Sequence, residues 1–194
     1  MSLKTNKIFI ISGPSGVGKT SVAKGVLKKL PFLKTSVTYT TRTKRLGKKE
    51  DKTIIHVNQK EFRRKIDAGE CLEWAVVHDN LYGTDAKTID QKLRQENILM
   101  NIDVQGALQI KKKLPQKTIL IFLKAENIKE LTQRIGQRET MPNQILNLRI
   151  KNAKQELRLA KKYDYILVNR KNQLKKTIHA VVEIIKKISS WPRT

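Results

Sequence analysis

Residues 13–20 read Gly13-Pro14-Ser15-Gly16-Val17-Gly18-Lys19-Thr20 and match the pattern G-x-x-x-x-G-K-[ST] at every fixed position. The apolar run Ile8-Phe9-Ile10-Ile11 precedes this stretch and predicts a buried strand, and residues 21–30 have the apolar spacing of a helix. A strand, a glycine loop and a helix in this order direct backbone N–H groups at an anion. We therefore expect residues 13–20 to bind a nucleoside triphosphate, with Lys19 reaching the β- and γ-phosphates and the Thr20 hydroxyl placed to bind Mg²⁺.

The composition indicates a globular protein with a large excess of positive charge. Of the 194 residues, 39% are hydrophobic and 30% are charged, and 41 Lys and Arg against 17 Asp and Glu give a net charge of +24. The lysines are scattered over the predicted helices, and aromatic residues make up only 5% of the chain, few for base-stacking platforms. We therefore expect solvated helix faces and no specific nucleic-acid partner.

The chain shows no signal for a membrane or an oxidising compartment. No apolar run is long enough to span a bilayer, and the N-terminus leads directly into the first predicted strand. The single cysteine, Cys71, cannot form an internal disulfide and is expected to be a small buried hydrophobic residue. We expect no signal peptide, no membrane partner and a cytoplasmic location.

Apolar runs alternate with helical patterns along the chain, which is typical of βαβ units and a parallel sheet in an α/β fold. The predicted core strands are residues 7–12, 34–39, 98–103, 118–123 and 165–169. The predicted helices are residues 20–30, 104–114, 128–137, 146–162 and 174–188.

The alternation breaks between about residues 42 and 96, which we interpret as an insertion that builds a substrate site. This stretch has extended pieces at 53–57 and 72–77, a helix opened by Asn58-Gln59-Lys60-Glu61, and a predicted tight turn at Asn80-Leu81-Tyr82-Gly83. At its start, Thr40-Thr41-Arg42-Thr43-Lys44-Arg45 places two arginines three residues apart. These arginines can converge on a phosphate as bidentate donors, or they can belong to a solvated basic loop.

Six motifs with this chemistry occur in a fixed order. They are the loop 13–20, Thr41-Arg42-Thr43-Lys44-Arg45, Glu73-Trp74-Ala75, Tyr82-Gly83-Thr84, Ile102-Asp103-Val104-Gln105-Gly106, and Arg134…Arg138…Arg149. In this order and spacing the chain resembles the guanylate kinase family, from about residue 7 to beyond residue 169. The resemblance implies a single domain with a three-layer P-loop core at about 5–41, 97–125 and 150–188, a GMP-binding insertion at about 42–96 and a helical lid at about 126–149.

The resemblance implies two groups of GMP-binding residues. The matching positions are Arg42, Arg45 and Tyr82 for the GMP phosphate, with Thr84 following in the same motif, and Thr38, Glu73 and Asp103 for the guanine. Guanine offers N1–H and N2–H₂ donors that carboxylates accept, whereas adenine has neither, and a site with buried acceptors can reject a ligand without the donors by about 10⁴-fold. Without the flanking motifs, Glu73 would be interpreted as a surface acid and Tyr82 as a packed turn residue.

The resemblance also implies residues around ATP. Arg134, Arg138 and Arg149 match lid arginines that would close over the triphosphate and neutralise charge on the transferred phosphoryl group. The alternative for this set is a solvent-exposed polar helix hairpin. Asn169 matches the position that contacts the adenine of ATP, and Arg170 replaces the acid usually next to it.

Three further positions depart from the family's pattern. Ile54 stands where a tyrosine binds the GMP phosphate, and Lys48 stands where a glutamate is usual. Asn101 replaces the first acid of an Asp-Ile-Asp motif, at a strand end where many P-loop proteins keep an aspartate near Mg²⁺. These departures concern turnover more than fold.

The resemblance therefore implies an ATP:GMP phosphotransferase that uses Mg²⁺ with ATP as donor and acts as a monomer or homodimer. The acceptor is already an anionic phosphate, so catalysis would rest on positioning, charge neutralisation and exclusion of water. One alternative is a kinase of a phosphorylated sugar, which Glu73 and Asp103 disfavour. Another is a non-catalytic guanylate-kinase-like module that binds phosphorylated peptides, which the complete phosphate loop disfavours.

Overall fold

The computed structural model describes residues 5–44, 53–77, 79–138 and 142–189. Arg45 and Lys48 lie outside these residues, and so does the side chain of Arg138, whose backbone ends a helix. Within the described ranges, no helix has the length and apolar character needed to cross a membrane.

Strands and helices alternate along the described chain. The strands are β1 (Ile8–Ser12), β2 (Leu33–Thr35), β3 (Thr38–Thr40), β4 (Ile54–His56), β5 (Cys71–Val77), β6 (Asn80–Asp85), β7 (Asn97–Asn101), β8 (Thr118–Lys124) and β9 (Tyr165–Val168). The α-helices are α1 (Lys19–Lys29), α2 (Gln59–Asp67), α3 (Ala86–Leu93), α4 (Val104–Lys113), α5 (Ile128–Arg138), α6 (Asn143–Arg158) and α7 (Leu174–Ser189). A 3-10 helix, Leu159–Lys162, continues α6.

Five parallel strands form a central sheet in the order β2-β7-β1-β8-β9. All five residues of β1 are buried, as expected for a strand whose sheet is covered by helices on both faces. Phe9 and Ile11 join one apolar cluster with α1 and α7, whereas Ile8 and Ile10 join a second cluster with α3 and α4. The predicted α/β fold with a parallel sheet and three layers is confirmed.

A second sheet has the strand order β4-β3-β6-β5. Its β3 and β4 strands pair in parallel, and its other neighbours pair antiparallel. The fully buried Phe62 of α2 packs beneath this sheet, close to Gly83 of β6 and to the buried Cys71. The helix predicted from residues 58–61 is confirmed, because the Asn58 side chain accepts a hydrogen bond from the Glu61 N–H at 2.8 Å.

Two predictions about this region are wrong. The single core strand expected at 34–39 is divided between β2 in the central sheet and β3 in the second sheet, because period-2 alternation does not indicate which sheet a strand joins. The tight turn expected at residues 80–83 is instead part of β6. The chain reverses before it, with Val77 paired to Asn80 and Asp79 at φ 62°, a left-handed conformation that Asp tolerates.

Candidate active site

The phosphate loop connects the carboxyl end of β1 to the first residue of α1. Gly13 and Gly18 have φ of 140° and 98°, which a residue with a Cβ rarely adopts. A Cβ on Gly13 would also overlap the carbonyl of Leu123, and one on Gly18 would lie 2.6 Å from Asn169 Nδ2. Backbone conformation and close contact both require glycine here, so the loop presents its N–H groups and the start of α1 without obstruction.

Lys19 and Thr20 open α1 beside a pocket of about 230 Å³. The Lys19 ammonium donates to the carbonyl oxygens of Gly13 and Pro14 at 2.6 and 3.1 Å, so it lies folded over the loop. Asn101, at the end of β7, donates from its carboxamide to Thr20 Oγ1 at 3.2 Å. The departure at Asn101 therefore contacts the hydroxyl expected to bind Mg²⁺.

Arg134 of α5 lines the same pocket and is held in place by three groups. Its guanidinium donates to the Glu130 carboxylate at 2.7 Å, to the Asn169 carbonyl at 2.9 Å and to the Val17 carbonyl at 3.5 Å. A charged donor with these acceptors is fixed in position more strongly than a solvated arginine. Arg134 therefore forms one wall of the pocket.

The Asn169 carboxamide is turned into the protein. Its Nδ2 donates to Val17 O at 2.8 Å, and its Oδ1 accepts from the Thr177 hydroxyl at 2.9 Å. The residue is 5% exposed, and its side chain lies against Gly18. In this arrangement Asn169 supports the phosphate loop, and its expected contact with adenine stays a prediction.

A larger cleft of about 620 Å³ adjoins the phosphate loop and is bordered by both sheets and α6. The predicted site residues that line it are Ser15, Lys19, Thr20, Thr38, Glu73, Tyr82, Asp103 and Arg149. Asn101 lines it as well. The structure thus brings residues from separate motifs into one space beside the phosphate loop.

Arg42 and Thr84 are not among the residues that line this cleft. Arg42 donates from Nη1 to the Thr43 carbonyl at 3.1 Å, and its own carbonyl contacts Nδ1 of His56. Thr84 is fully buried behind Glu73. Thr84 therefore contacts Glu73, and the roles of Thr84 and Arg42 toward GMP stay predictions.

Glu73 is the most buried carboxylate of the cleft. It is 3% exposed on β5, directly opposite Thr84 of β6, whose hydroxyl donates to Glu73 Oε1 at 2.6 Å. Burial raises the pKa of the Glu73 carboxyl to about 7, opposed by the Thr84 hydrogen bond and reinforced by the negative charge of Asp103. Glu73 is therefore not the surface acid that its sequence alone suggests.

Asp103 is the N-cap of α4. One of its oxygens, Oδ1, accepts from the backbone N–H groups of Gln105 and Gly106 at 2.7 and 3.1 Å. These bonds orient the carboxylate at the start of the helix, and Asp103 lines the same cleft as Glu73. Gly106, one turn into the helix, leaves room for Glu73, since a Cβ there would overlap Glu73 Oε2.

Glu156 lines the cleft and was not identified from the sequence. Burial raises the pKa of its carboxyl to about 7, the charge of Lys19 opposes this shift, and the charge of Asp103 adds to it. Glu156 lies seven residues after Arg149 on α6, so both project from one helix face. This seven-residue spacing from Arg149 is the feature of the sequence from which Glu156 could have been identified.

The fold and the site together define a P-loop protein with a second ligand cleft beside its phosphate loop. The guanylate kinase family model matches residues 5–188. The chain is 38% identical over 181 residues to a guanylate kinase of Thermotoga maritima, covering 93% of this chain and 86% of that protein. It is 36% identical over 179 residues to a guanylate kinase of Fusobacterium nucleatum, covering 92% and 95%. A crystal structure of guanylate kinase from Anaplasma phagocytophilum matches with a TM-score of 0.78 and 28% identity, covering 95% of this chain and 87% of that chain. The chain belongs to the guanylate kinase family.

Proposed function

We propose that this chain transfers the γ-phosphoryl group of ATP to GMP and so forms ADP and GDP. The observation that carries this proposal is the buried Glu73 carboxylate, which lies with Asp103 in a cleft that also contains Lys19 and Thr20. Guanine donates from N1–H and N2–H₂, and two carboxylates accept from both groups. A ligand without these donors would not supply the hydrogen bonds that the two carboxylates gain from guanine.

The donor phosphates are assigned to the phosphate loop and α1. The Lys19 ammonium rests on two loop carbonyls, so it can turn toward the β- and γ-phosphates without a change in the fold. Arg134 borders the same pocket, and Arg138 and Arg149 are proposed to neutralise charge on the transferred group. We assign no general base, because the attacking oxygen belongs to an anionic phosphate.

The acceptor phosphate is assigned to Tyr82, Arg42 and Arg45. Tyr82 lines the cleft, and Arg42 follows β3, the strand that pairs with β6 beside Tyr82. An arginine can bind a phosphate through two parallel hydrogen bonds, and a tyrosine hydroxyl adds a third. Replacing Arg42 should therefore weaken GMP binding more than ATP binding.

The residues near Thr20 fit a magnesium ion bound with ATP. The Thr20 hydroxyl and the Asn101 carboxamide lie side by side at the loop, and Mg²⁺ prefers oxygen ligands. The described residues contain no group of three or more His, Cys, Asp or Glu that could hold a metal. We therefore propose that ATP phosphates and water supply most of the ligands. When bound, the ion would neutralise phosphate charge.

The experiment is a coupled assay of ADP release with GMP, AMP and a phosphorylated sugar as acceptors, with and without Mg²⁺. We expect release with GMP and Mg²⁺ and very little with AMP. Equal turnover of AMP and GMP contradicts the assignment of Glu73 and Asp103. GMP binding without ADP release would favour the non-catalytic module. We further propose a cytoplasmic location. We also propose that the protein is a monomer or a homodimer, and analytical ultracentrifugation can distinguish these two oligomeric states.

A further inference from the structure

Gln109 of α4 bonds both backbone groups of one residue in β5. Its Nε2 donates to the Trp74 carbonyl at 2.8 Å, and its Oε1 accepts from the Trp74 N–H at 3.3 Å. Among the described strands, β5 is the last in its sheet, with β6 on its one paired side. The carboxamide of Gln109 therefore takes the position of a neighbouring strand at this edge.

This contact lies beside the two carboxylates of the cleft. Trp74 directly follows Glu73, and Gln109 is on the helix that begins after Asp103. Asp103, Gly106 and Gln109 are spaced three residues apart. Asp103 lines the same cleft as Glu73, Gly106 lies against the Glu73 carboxylate, and Gln109 bonds Trp74. The start of α4 thus provides the Asp103 carboxylate and leaves room at Gly106 for the Glu73 carboxylate. The same helix also bonds the backbone of Trp74, the residue after Glu73, through Gln109.

The separation of Glu73 and Asp103 is not set within either element. Glu73 belongs to the second sheet, and Asp103 belongs to the loop between β7 of the central sheet and α4. The donors of guanine have a fixed spacing, so two acceptors recognise it only at a fixed separation. The Gln109 carboxamide forms two hydrogen bonds across the junction between α4 and β5. Lys113, one turn further along α4, also donates to the Leu72 carbonyl of β5.

We infer that Gln109 is a positioning residue for base recognition, which holds β5 against α4 and thereby sets the preference for guanine among purine bases. The inference rests on the proposed function. Gln109 does not contact the ligand, and it acts through Trp74 on the placement of Glu73. Its loss should therefore change the selectivity among acceptor bases and leave the donor site unchanged.

The test compares Gln109→Met with Gln116→Met. Methionine keeps an unbranched side chain of similar length and a good helix propensity, but it cannot form the two hydrogen bonds. Gln116 is an exposed glutamine just after α4, and its substitution controls for the loss of a surface carboxamide. Calorimetry without ATP measures binding of GMP, of inosine monophosphate, which lacks the 2-amino group, and of ADP. Amide hydrogen exchange at Trp74 reports the bond itself.

We expect Gln109→Met to bind GMP about 5- to 150-fold more weakly, since the two hydrogen bonds together contribute about 1–3 kcal/mol. The ratio of GMP to inosine monophosphate affinity should fall, ADP affinity should not change, and Trp74 should exchange faster. Gln116→Met should match the wild type throughout. Gln109→Ala serves as a second variant that removes the same bonds.

Two results would overturn the inference. One is unchanged GMP affinity and base selectivity in both Gln109 variants despite faster exchange at Trp74. The other is an equal loss of GMP and ADP binding together with a lower melting temperature, which would make Gln109 a contributor to folding alone. A wild-type protein that binds GMP no better than AMP would instead contradict the proposed function, so the two failures are distinguishable.

Discussion

Gly106→Ala tests whether base recognition depends on the room that α4 leaves for Glu73. Gly106 lies in the first turns of α4 and is not among the glycines with positive φ, so its backbone accepts alanine. In a helix, alanine in place of glycine normally stabilises the fold by about 0.5–1 kcal/mol. Here the added methyl group would overlap Glu73 Oε2 and lie 2.9 Å from Glu73 Cδ.

The size of the effect follows from this distance. Ordinary contact begins at 3.4 Å, so Glu73 Cδ must withdraw by at least 3.4 minus 2.9, or about 0.5 Å. Pairing of β5 with β6 holds the backbone, so the side chain must rotate away from the Thr84 hydroxyl or from the cleft. One hydrogen bond to a charged group contributes about 1.5–3 kcal/mol, which corresponds to a loss of GMP affinity of about 10- to 150-fold.

The assay is calorimetric titration with GMP and, separately, with ADP. Gly136→Ala in α5 is the matched control, because no atom of the described residues lies within 4 Å of a Cβ at that position. We expect Gly136→Ala to raise the melting temperature and to keep both affinities. Gly106→Ala should lose GMP affinity and keep ADP affinity. Wild-type GMP affinity in Gly106→Ala, with a melting temperature raised as in Gly136→Ala, would refute the argument from contact distance.

Lys19→Ala should lower turnover by several orders of magnitude while GMP binding persists, because Lys19 serves the donor phosphates; calorimetry showing lost GMP binding would contradict the division into two sites. Asn101→Asp should lower the Mg²⁺ concentration for half-maximal activity at saturating ATP and GMP, since a charged carboxylate beside Thr20 replaces a neutral carboxamide. Superimposable magnesium titrations would show that the charge at this position does not matter. Because burial raises the pKa of Glu73 from 4.5 to about 7, the stability that its protonated form contributes is present below about pH 4.5 and is lost as the pH rises through 7. Glu73→Gln should reduce the fall in melting temperature between about pH 5 and 8, and an equal fall in both proteins would count against this assignment.

The central sheet and the phosphate loop could be predicted from the sequence because their requirements are local. The loop needs glycine where φ is positive, and the motif fixes those glycines within eight consecutive residues. The buried run before it needs apolar residues on both faces, which Ile8–Ser12 shows directly. Neither inference depends on what the rest of the chain does.

The second sheet was harder to predict because its features depend on distant partners. Thr38–Thr40 has the same alternation as a core strand, and only its pairing with β4 and β6 assigns it elsewhere. Gly83 resembles a turn residue in the sequence, yet it lies within β6. Its lack of a side chain accommodates Phe62, whose ring would lie 3.0 Å from a Cβ at that position. A glycine required for packing looks the same in sequence as a glycine required for a turn.

In the candidate site too, some residues could be identified from the sequence and others only from the structure. Glu73 and Asp103 were identified through the resemblance of their motifs, whereas Gln109 was missed, because a side chain that bonds a strand 35 residues away leaves no periodic signal. The three-residue spacing of Asp103, Gly106 and Gln109 becomes meaningful only when β5 is known to lie along that side of α4. We therefore propose that base recognition depends on this junction between α4 and β5. Changes on this side of α4 should alter the choice of acceptor base and leave donor binding unchanged, because the phosphate loop follows β1 of the central sheet.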